Sequence, residues 1–364
     1  MIPMVDLRRN YQRLKSDIDV AIQQVLESSQ FILGPNVQEL EKEIATYHDV
    51  AHAVGVASGT DALLLALRAC GIKAGDEVIT TPFTFIATAD VISLLQAKPV
   101  FVDIVPDTYN IDPAKLEGKI TEKTKAIIPV HLFGHAADMT PIIELAVRNN
   151  LRVVEDCAQA FGATYNGRRV GTIGDCGCFS FFPSKNLSGY GDGGMVITDN
   201  SDLADKLKLL RNHGSKTRYH HKILGYNSRL DEIQAAILRV KFKKIDSFNQ
   251  KRRAHADLYR TLIERVDIIL PTERPGCTHV YHQFTIRSKH RERIKDALHH
   301  AQVASAVYYP VPLHRQELFI SLYGNYEALP NSEICATEVL SLPMFPELET
   351  EEIHHISNVI NHAF

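Results

Sequence analysis

The chain has 364 residues, 45% hydrophobic and 23% charged, with 40 basic against 43 acidic side chains and a formal charge of −3. That length suits roughly two to three units of about 150 residues, and a near-neutral balance with no basic run interleaved with aromatics argues against nucleic-acid binding. No stretch approaches the roughly 18 apolar residues of a membrane span, and the start, Met1 to Arg9, has no apolar core of signal-peptide length. The expectation is therefore a cytoplasmic protein.

The first thirty residues read as helical, with Leu14, Ile18, Ala21, Ile22, Val25 and Leu26 at the helical period. Leu33-Gly34-Pro35 breaks that helix, and Asn36 is placed to cap a second one carrying Val37, Leu40, Ile44 and Tyr47. Short apolar runs follow at His52–Ala57, Glu77–Phe85, Pro99–Val105, Ala126–Phe133, Arg152–Cys157, Cys176–Phe182 and Gly194–Thr198, with helical patterns at Asp61–Cys70, Thr84–Gln96 and Thr140–Asn149. Strands separated by helices imply an α/β unit with a mostly parallel sheet covered on both faces. The last strands lie too close together for crossover helices, so antiparallel pairing is expected there. A helical region from Ser201 to about Arg265 is interrupted near Gly214–Asn227. Beyond it, strands at Tyr281–Arg287 and Ala304–Tyr309 and helices at Arg291–Gln302 and Ser332–Leu340 suggest a small α+β domain. The expected organisation is a large domain of residues 1–250 and a small one of residues 251–364.

Two segments carry the chemistry. Val153-Val154-Glu155-Asp156-Cys157-Ala158-Gln159 is a buried-strand pattern ending at an acid, and Cys178-Phe179-Ser180-Phe181-Phe182-Pro183-Ser184-Lys185 ends at an amine. A Lys delivered into a partly dry site has a lowered pKa and becomes a usable nucleophile and base. An Asp delivered beside it needs a cation to face. A pyridoxal phosphate site meets both needs, with the Lys as Schiff base and the Asp opposite a protonated pyridine nitrogen; two ordinary core strands with polar ends are the alternative. Ser58-Gly59-Thr60-Asp61 opens a helix after the first strand, as an anion site or as a plain N-cap by Ser58 or Thr60. Gly189-Tyr190-Gly191-Asp192-Gly193-Gly194 precedes a strand and does not open a helix, so it is no dinucleotide loop. Seventeen His residues include His131 and His135 four apart, but Gly134 interrupts them and no His-Glu-x-x-His pattern is present, so no metal is expected. The six scattered Cys residues lack the paired spacings of a zinc site, and Cys176 and Cys178 read as core filler on one strand face.

In this order the pieces resemble the DegT/DnrJ/StrS family of sugar aminotransferases over essentially the whole chain. The matching stretches are Ser58–Leu63, Glu155–Ala163, Ser180–Leu187, Gly191–Gly194 and Gly225–Asp231. The resemblance implies the pyridoxal-phosphate-dependent transferase fold of type I, a large domain with a mostly parallel seven-stranded mixed sheet plus a small C-terminal α+β domain. It implies that Lys185 holds pyridoxal 5′-phosphate as a Schiff base and moves protons, and that Asp156 pairs with the pyridine nitrogen. By the same resemblance Gln159 contacts the ring near its hydroxyl, Gly59, Thr60 and Ser180 cradle the phosphate, and Phe85 stacks on the ring; a core aromatic is the alternative for Phe85. Asn227 matches the residue that reaches the phosphate from a neighbouring subunit, implying a homodimer, with a helix N-cap as its alternative. L-glutamate is the implied amino donor, leaving pyridoxamine phosphate, and the acceptor is a keto sugar on a nucleotide diphosphate. Arg218, Tyr219, His220, His221 and Arg229 are the implied diphosphate contacts, with Tyr308, Tyr309 and His314 in a sugar-facing loop. The pattern is closest to members aminating C3, and Tyr308 stands where uronate-acting relatives carry His. Some relatives are dehydratases with His in place of the Lys; this chain keeps Lys185. A regulatory protein on the same fold is the other alternative, and cell-surface polysaccharide is the commonest family context.

Overall fold

A computed structural model describes residues 1–217 and 219–363. Seven strands form the central sheet: β1 (His52–Val56), β2 (Glu77–Thr80), β3 (Lys98–Phe101), β4 (Thr124–Ile128), β5 (Arg152–Asp156), β6 (Cys176–Ser180) and β7 (Gly194–Thr198), in the order β1-β7-β6-β5-β4-β2-β3. The five strands from β6 to β3 run parallel, while β7 is antiparallel to both β6 and β1. The sheet is mixed and mostly parallel, as expected. Side-chain alternation splits it into two buried faces. Val78, Ala126, Ile128 and Val154 face a layer made by helices α3 (Gly59–Ala69), α4 (Ala87–Leu94) and α6 (Ser201–Leu210). Ile79, Ile127 and Val153 face α5 (Met139–Arg148) on the other side.

Two N-terminal helices, α1 (Leu7–Ser28) and α2 (Pro35–His48), lie against α7 (Glu232–Phe242). Asn36 does not cap α2. Gly34 holds the cap position, and the buried Glu232 carboxylate accepts from the Asn36 and Val37 amides at 2.9 and 2.8 Å. A cap supplied from 196 residues away in sequence is invisible to a local pattern.

Helix α8 (Ile245–Leu262) runs into the C-terminal part, where β8 (Phe284–Arg287) pairs antiparallel with β9 (Val339–Leu342) and packs with α9 (Arg291–His300) and α10 (Thr350–Asn361). Ile2 and Val5 join this same core. Other elements depart from the pattern. The expected strand Glu77–Phe85 ends at Thr80, and the turn after it carries Phe85 to the surface before α4 starts at Ala87. Ala304–Tyr309 is not a strand; it makes one bridge, Ala306 to Ser341, and then leaves the sheet. Between α6 and α7 a short hairpin pairs Ser215–Thr217 with His220–His221.

Glu155 shows how the strand carrying Asp156 is held. Its fully buried carboxylate accepts from the Gly171, Ile173 and Gly174 amides at 2.7–2.8 Å and from His131 Nε2 at 3.0 Å. Burial pushes this carboxyl upward, but the His131 and amide donors outweigh it and hold it below the usual range. Glu155→Ala strands these donors in the interior and is expected to cost about 3–5 kcal/mol. The midpoint of urea unfolding measures this, and a loss under about 1 kcal/mol contradicts the assignment.

Candidate active site

The β5 and β6 ends deliver Asp156 and Lys185 to one cavity of about 590 Å³. Asp156 is 5% exposed, and its two side-chain partners are neutral: Thr88 Oγ1 donates to Oδ2 at 2.8 Å and the Ala158 amide to Oδ1 at 3.1 Å. Burial raises its carboxyl, offset in part by those two bonds. Lys185 sits in the turn after β6, closed by its own amide bonding to Phe182 O at 2.8 Å. Burial lowers its ammonium to about 8, with the Asp156 charge opposing that shift. A buried acid whose hydrogen-bond partners are all neutral and a poised amine thus share one cavity, each feeling the other's charge. Gln159 is fixed at both ends, its Oε1 accepting from the Phe133 amide at 2.8 Å and its Nε2 donating to Tyr309 Oη at 3.1 Å.

The opposite wall is the start of α3. Ser58 Oγ caps the helix by accepting from the Asp61 amide at 3.0 Å, so it is an N-cap, while Gly59 and Thr60 line the cavity. The first amides of an 11-residue helix have no partner within it, which is the chemistry an anion site draws on. Gly59 permits it: a Cβ there meets Ser180 Cβ at 2.5 Å. Gly59→Ala must spread α3 from β6, a displacement of the kind that costs about 1–3 kcal/mol, or, where it falls on the bound state, about five- to 150-fold in cofactor affinity. Spectral titration with pyridoxal phosphate measures it, and unchanged affinity removes Gly59 from the cradle.

Over residues 12–361 the sequence matches the DegT/DnrJ/EryC1/StrS aminotransferase family. The chain belongs to this family. Among its relatives, a UDP-N-acetyl-3-dehydro-alpha-D-glucosamine 3-aminotransferase of Acidithiobacillus ferrooxidans is 52% identical over 359 residues, 99% of this chain and 97% of that one. A pleiotropic regulatory protein of Geobacillus stearothermophilus is 51% identical over 98% of this chain and 96% of its own. The crystal structure of Streptomyces venezuelae DesV with a ketimine intermediate superposes with a TM-score of 0.96 at 42% identity, covering 99% of this chain and 97% of DesV. The fold is thereby that of the pyridoxal-phosphate-dependent aminotransferases.

The cavity fits the cofactor of a DegT/DnrJ/EryC1/StrS aminotransferase. It offers a desolvated carboxylate for the pyridine N–H, a glycine whose missing Cβ opens the anion cradle, and an amine near its working pKa. Phe85, Tyr308 and Tyr309 line the wall with Gln159 and Ser180; Phe85 is 56% exposed there and is not a core residue. His314 is not in the wall. It is buried to one side, with Nε2 2.8 Å from Glu333 Oε1. Asn227, Tyr219, His220 and His221 are exposed and outside this cavity, and Arg229 Nη1 donates to Asn212 Oδ1 at 3.0 Å. Asn227 pairs with Asn212 in a bridge four residues before the Asp231 cap of α7, so it is not the N-cap. Arg218 lies outside the described residues. Among the described residues lining the cavity, Lys185 is the only Lys or Arg.

Sequence reasoning missed Thr88, which grips Asp156, and His282 and Gln283, which complete the wall. Thr88 lies inside the helical pattern expected at Thr84–Gln96, and its i, i+4 relation to Thr84 (3.1 Å between hydroxyls) was the available signal. His131, Glu155 and Cys157 come together as a buried trio, but His131 Nδ1 already accepts from the Ala137 amide and Nε2 faces Glu155. Both ring nitrogens are used, and the trio is a structural clamp.

Proposed function

We propose that this chain transfers an amino group from L-glutamate to C3 of a keto sugar carried on a nucleotide diphosphate, with Lys185 and Asp156 as its central residues. The observation that carries the reading is the pairing of an amine near 8 with a buried carboxylate whose hydrogen-bond partners are neutral, beside a helix start. Gly59, Thr60 and Ser180 would hold the cofactor phosphate, Asp156 its ring nitrogen, Gln159 its hydroxyl side, and Phe85 the ring face. When bound, pyridoxal phosphate supplies the electron sink for the carbanion generated in each half of the reaction. Lys185 Nζ holds the cofactor until the donor amine displaces it, then takes the proton from the donor α-carbon as general base. In the second half it gives a proton to sugar C3 as general acid. Retention of Lys185 where dehydratase relatives carry His supports transamination.

The diphosphate and the donor carboxylates need cations that this cavity's own described lining does not supply beyond Lys185. The segment Arg218 to Arg229, with exposed Asn227 and His220-His221, is the reading's source of them, reaching a neighbouring subunit's cavity in a homodimer. Tyr308 and Tyr309 would face the sugar. In this reading residues 1–250 form the cofactor-binding domain, residues 251–364 close over it, and the enzyme works in the cytoplasm. Among the described residues no helix is long and apolar enough to cross a membrane.

Two measurements test this. Excess L-glutamate is expected to convert the bound cofactor's visible band to the pyridoxamine form, and a 3-keto nucleotide sugar to restore it; a band indifferent to every amino donor overturns transamination. Mixing Lys185→Ala with Asn227→Ala protein is expected to restore turnover above the sum of the two alone, through heterodimers with one intact site. No gain on mixing removes the shared site.

A further inference from the structure

Lys185 borders a second, smaller chamber of about 20 Å³, lined also by Asn10, Asn186, Lys241, Arg252 and Glu347. These side chains come from α1, the Lys185 turn, α7, α8 and the segment after β9. Lys241 and Arg252 are 2% and 3% exposed. Their hydrogen-bond partners are neutral. Lys241 Nζ donates to Ser188 Oγ at 2.7 Å and lies 4.7 Å from the Tyr190 ring centre, while Arg252 Nη1 donates to the Tyr281 and Met344 carbonyls at 3.2 and 2.7 Å. Burial accordingly lowers Lys241 to about 8 and Arg252 to about 10, the Glu347 charge opposing both shifts. Three polar atoms on the lining side chains have no hydrogen-bond partner among the described residues: Asn10 Oδ1, Asn186 Oδ1 and Arg252 Nε. All three side chains are more than nine-tenths buried.

Buried polar atoms of this kind take a partner from protein or from ordered solvent. The chemistry of the lining selects among small ligands. An anion would meet the two amide oxygens and the Glu347 carboxylate; a metal cation would meet Arg252 and Lys241. A ligand that both donates and accepts satisfies Asn10 Oδ1, Asn186 Oδ1 and Arg252 Nε together, and a volume of about 20 Å³ exceeds the roughly 10–15 Å³ that one water requires.

We propose that this chamber is a binding site for one ordered water that joins Asn186 to Arg252 and Asn10, and that it positions Lys185 through the adjoining Asn186. The same Asn186 is tied on its other side, Nδ2 donating to Asn249 Oδ1 at 2.8 Å and Val280 O at 3.0 Å. The water completes that grip, so the Lys185 turn is clamped from α1, α8 and the segment at Val280 just before His282. The charged and titratable groups around Lys185 are then Asp156, Asp192, His282, Tyr308 and Tyr309 on the cavity side and Asp6, Lys241, Arg252 and Glu347 on the chamber side.

The positioning role rests on the proposed function, whereas the water itself does not. A high-resolution crystal structure of the holoenzyme is expected to show a single water within hydrogen-bond distance of Asn10 Oδ1, Asn186 Oδ1 and Arg252 Nε. In Asn10→Leu the water is expected to be gone and the pH midpoint of the bound cofactor's visible band to move by about half a unit or more. The first-order rate of the glutamate half-reaction is expected to fall about tenfold, with little change in the glutamate concentration giving half the maximal rate. Asn10→Ser, which keeps an acceptor, is expected to recover midpoint and rate. A dry chamber in the wild type overturns the proposal, and so does an Asn10→Leu protein that lacks the water yet keeps the wild-type midpoint and rate. A protein with no visible band at all refutes the proposed function, and the crystallographic water then still decides the chamber.

Discussion

Lys185→Ala is expected to abolish the visible band that the wild-type chain develops with pyridoxal phosphate and to lower turnover by at least about 10⁴-fold. The size follows from two losses at one atom. General acid–base catalysis alone is worth about 10²–10⁴-fold, and the covalent hold on the cofactor goes with it. The wild type's capture of cofactor has a pH dependence set by the same amine. Burial places Lys185 near 8, so below that the ammonium predominates and capture slows, and above it the rate levels off. Stability of the cofactor-free protein also rises with pH, but over a higher window. The folded pKa lies below the unfolded value of about 10.4, so the buried amine opposes folding fully below about 8 and not at all above about 10.4. Lys185→Met, of similar length and uncharged, is thus expected to unfold at higher denaturant than the cofactor-free wild type at pH 7, and the gap should close above pH 10. A Lys185→Ala protein that keeps the band and transaminates sinks the assignment.

Asp156→Asn is the second large effect, a fall in the glutamate half-reaction of about 10²–10³-fold. The amide keeps the shape and can still meet Thr88 and Ala158, but it no longer carries the charge that keeps a pyridine nitrogen protonated. Burial raises the Asp156 carboxyl despite the opposing Lys185 charge, so its ionised form at pH 7 works against folding until a cation binds it directly. Without cofactor the Asn variant is expected to melt no lower than the wild type; with saturating cofactor the wild type gains more. Equal gains by thermal melting would show that Asp156 does not face a cationic ring.

The strands that lead to these two residues were legible because a parallel sheet buried on both faces forces largely apolar runs, and those from Val153 and Cys178 lead into Asp156 and Lys185. Ser58-Gly59-Thr60 was legible as a helix start for the same local reason. What escaped is what depends on distant partners. Asn36 looks like a cap, but Glu232 does the capping. Ala304–Tyr309 alternates like a strand, yet β9 already has β8 on one side and takes only Ala306 on the other. Tyr309 reaches Gln159 across 150 residues, and His314 turns toward Glu333, neither of which any local window contains. Thr88 and His282 carry no motif; only the folded cavity shows them beside Asp156 and Lys185.

The way the amino terminus is seated has a consequence for how the molecule is made. Ile2 pairs with Val303, the Met4 carbonyl accepts from the Met344 amide at 3.3 Å, Arg9 forks onto Glu352 at 2.8 Å, and Asn10 donates to Glu347 at 2.9 Å. These contacts can therefore form only after some three hundred intervening residues have been added. Until then α1 has a polar, unanchored start, and the nascent sheet must assemble without it. The N-terminal arm can fasten only once the segment from Val303 to Glu352 has been made.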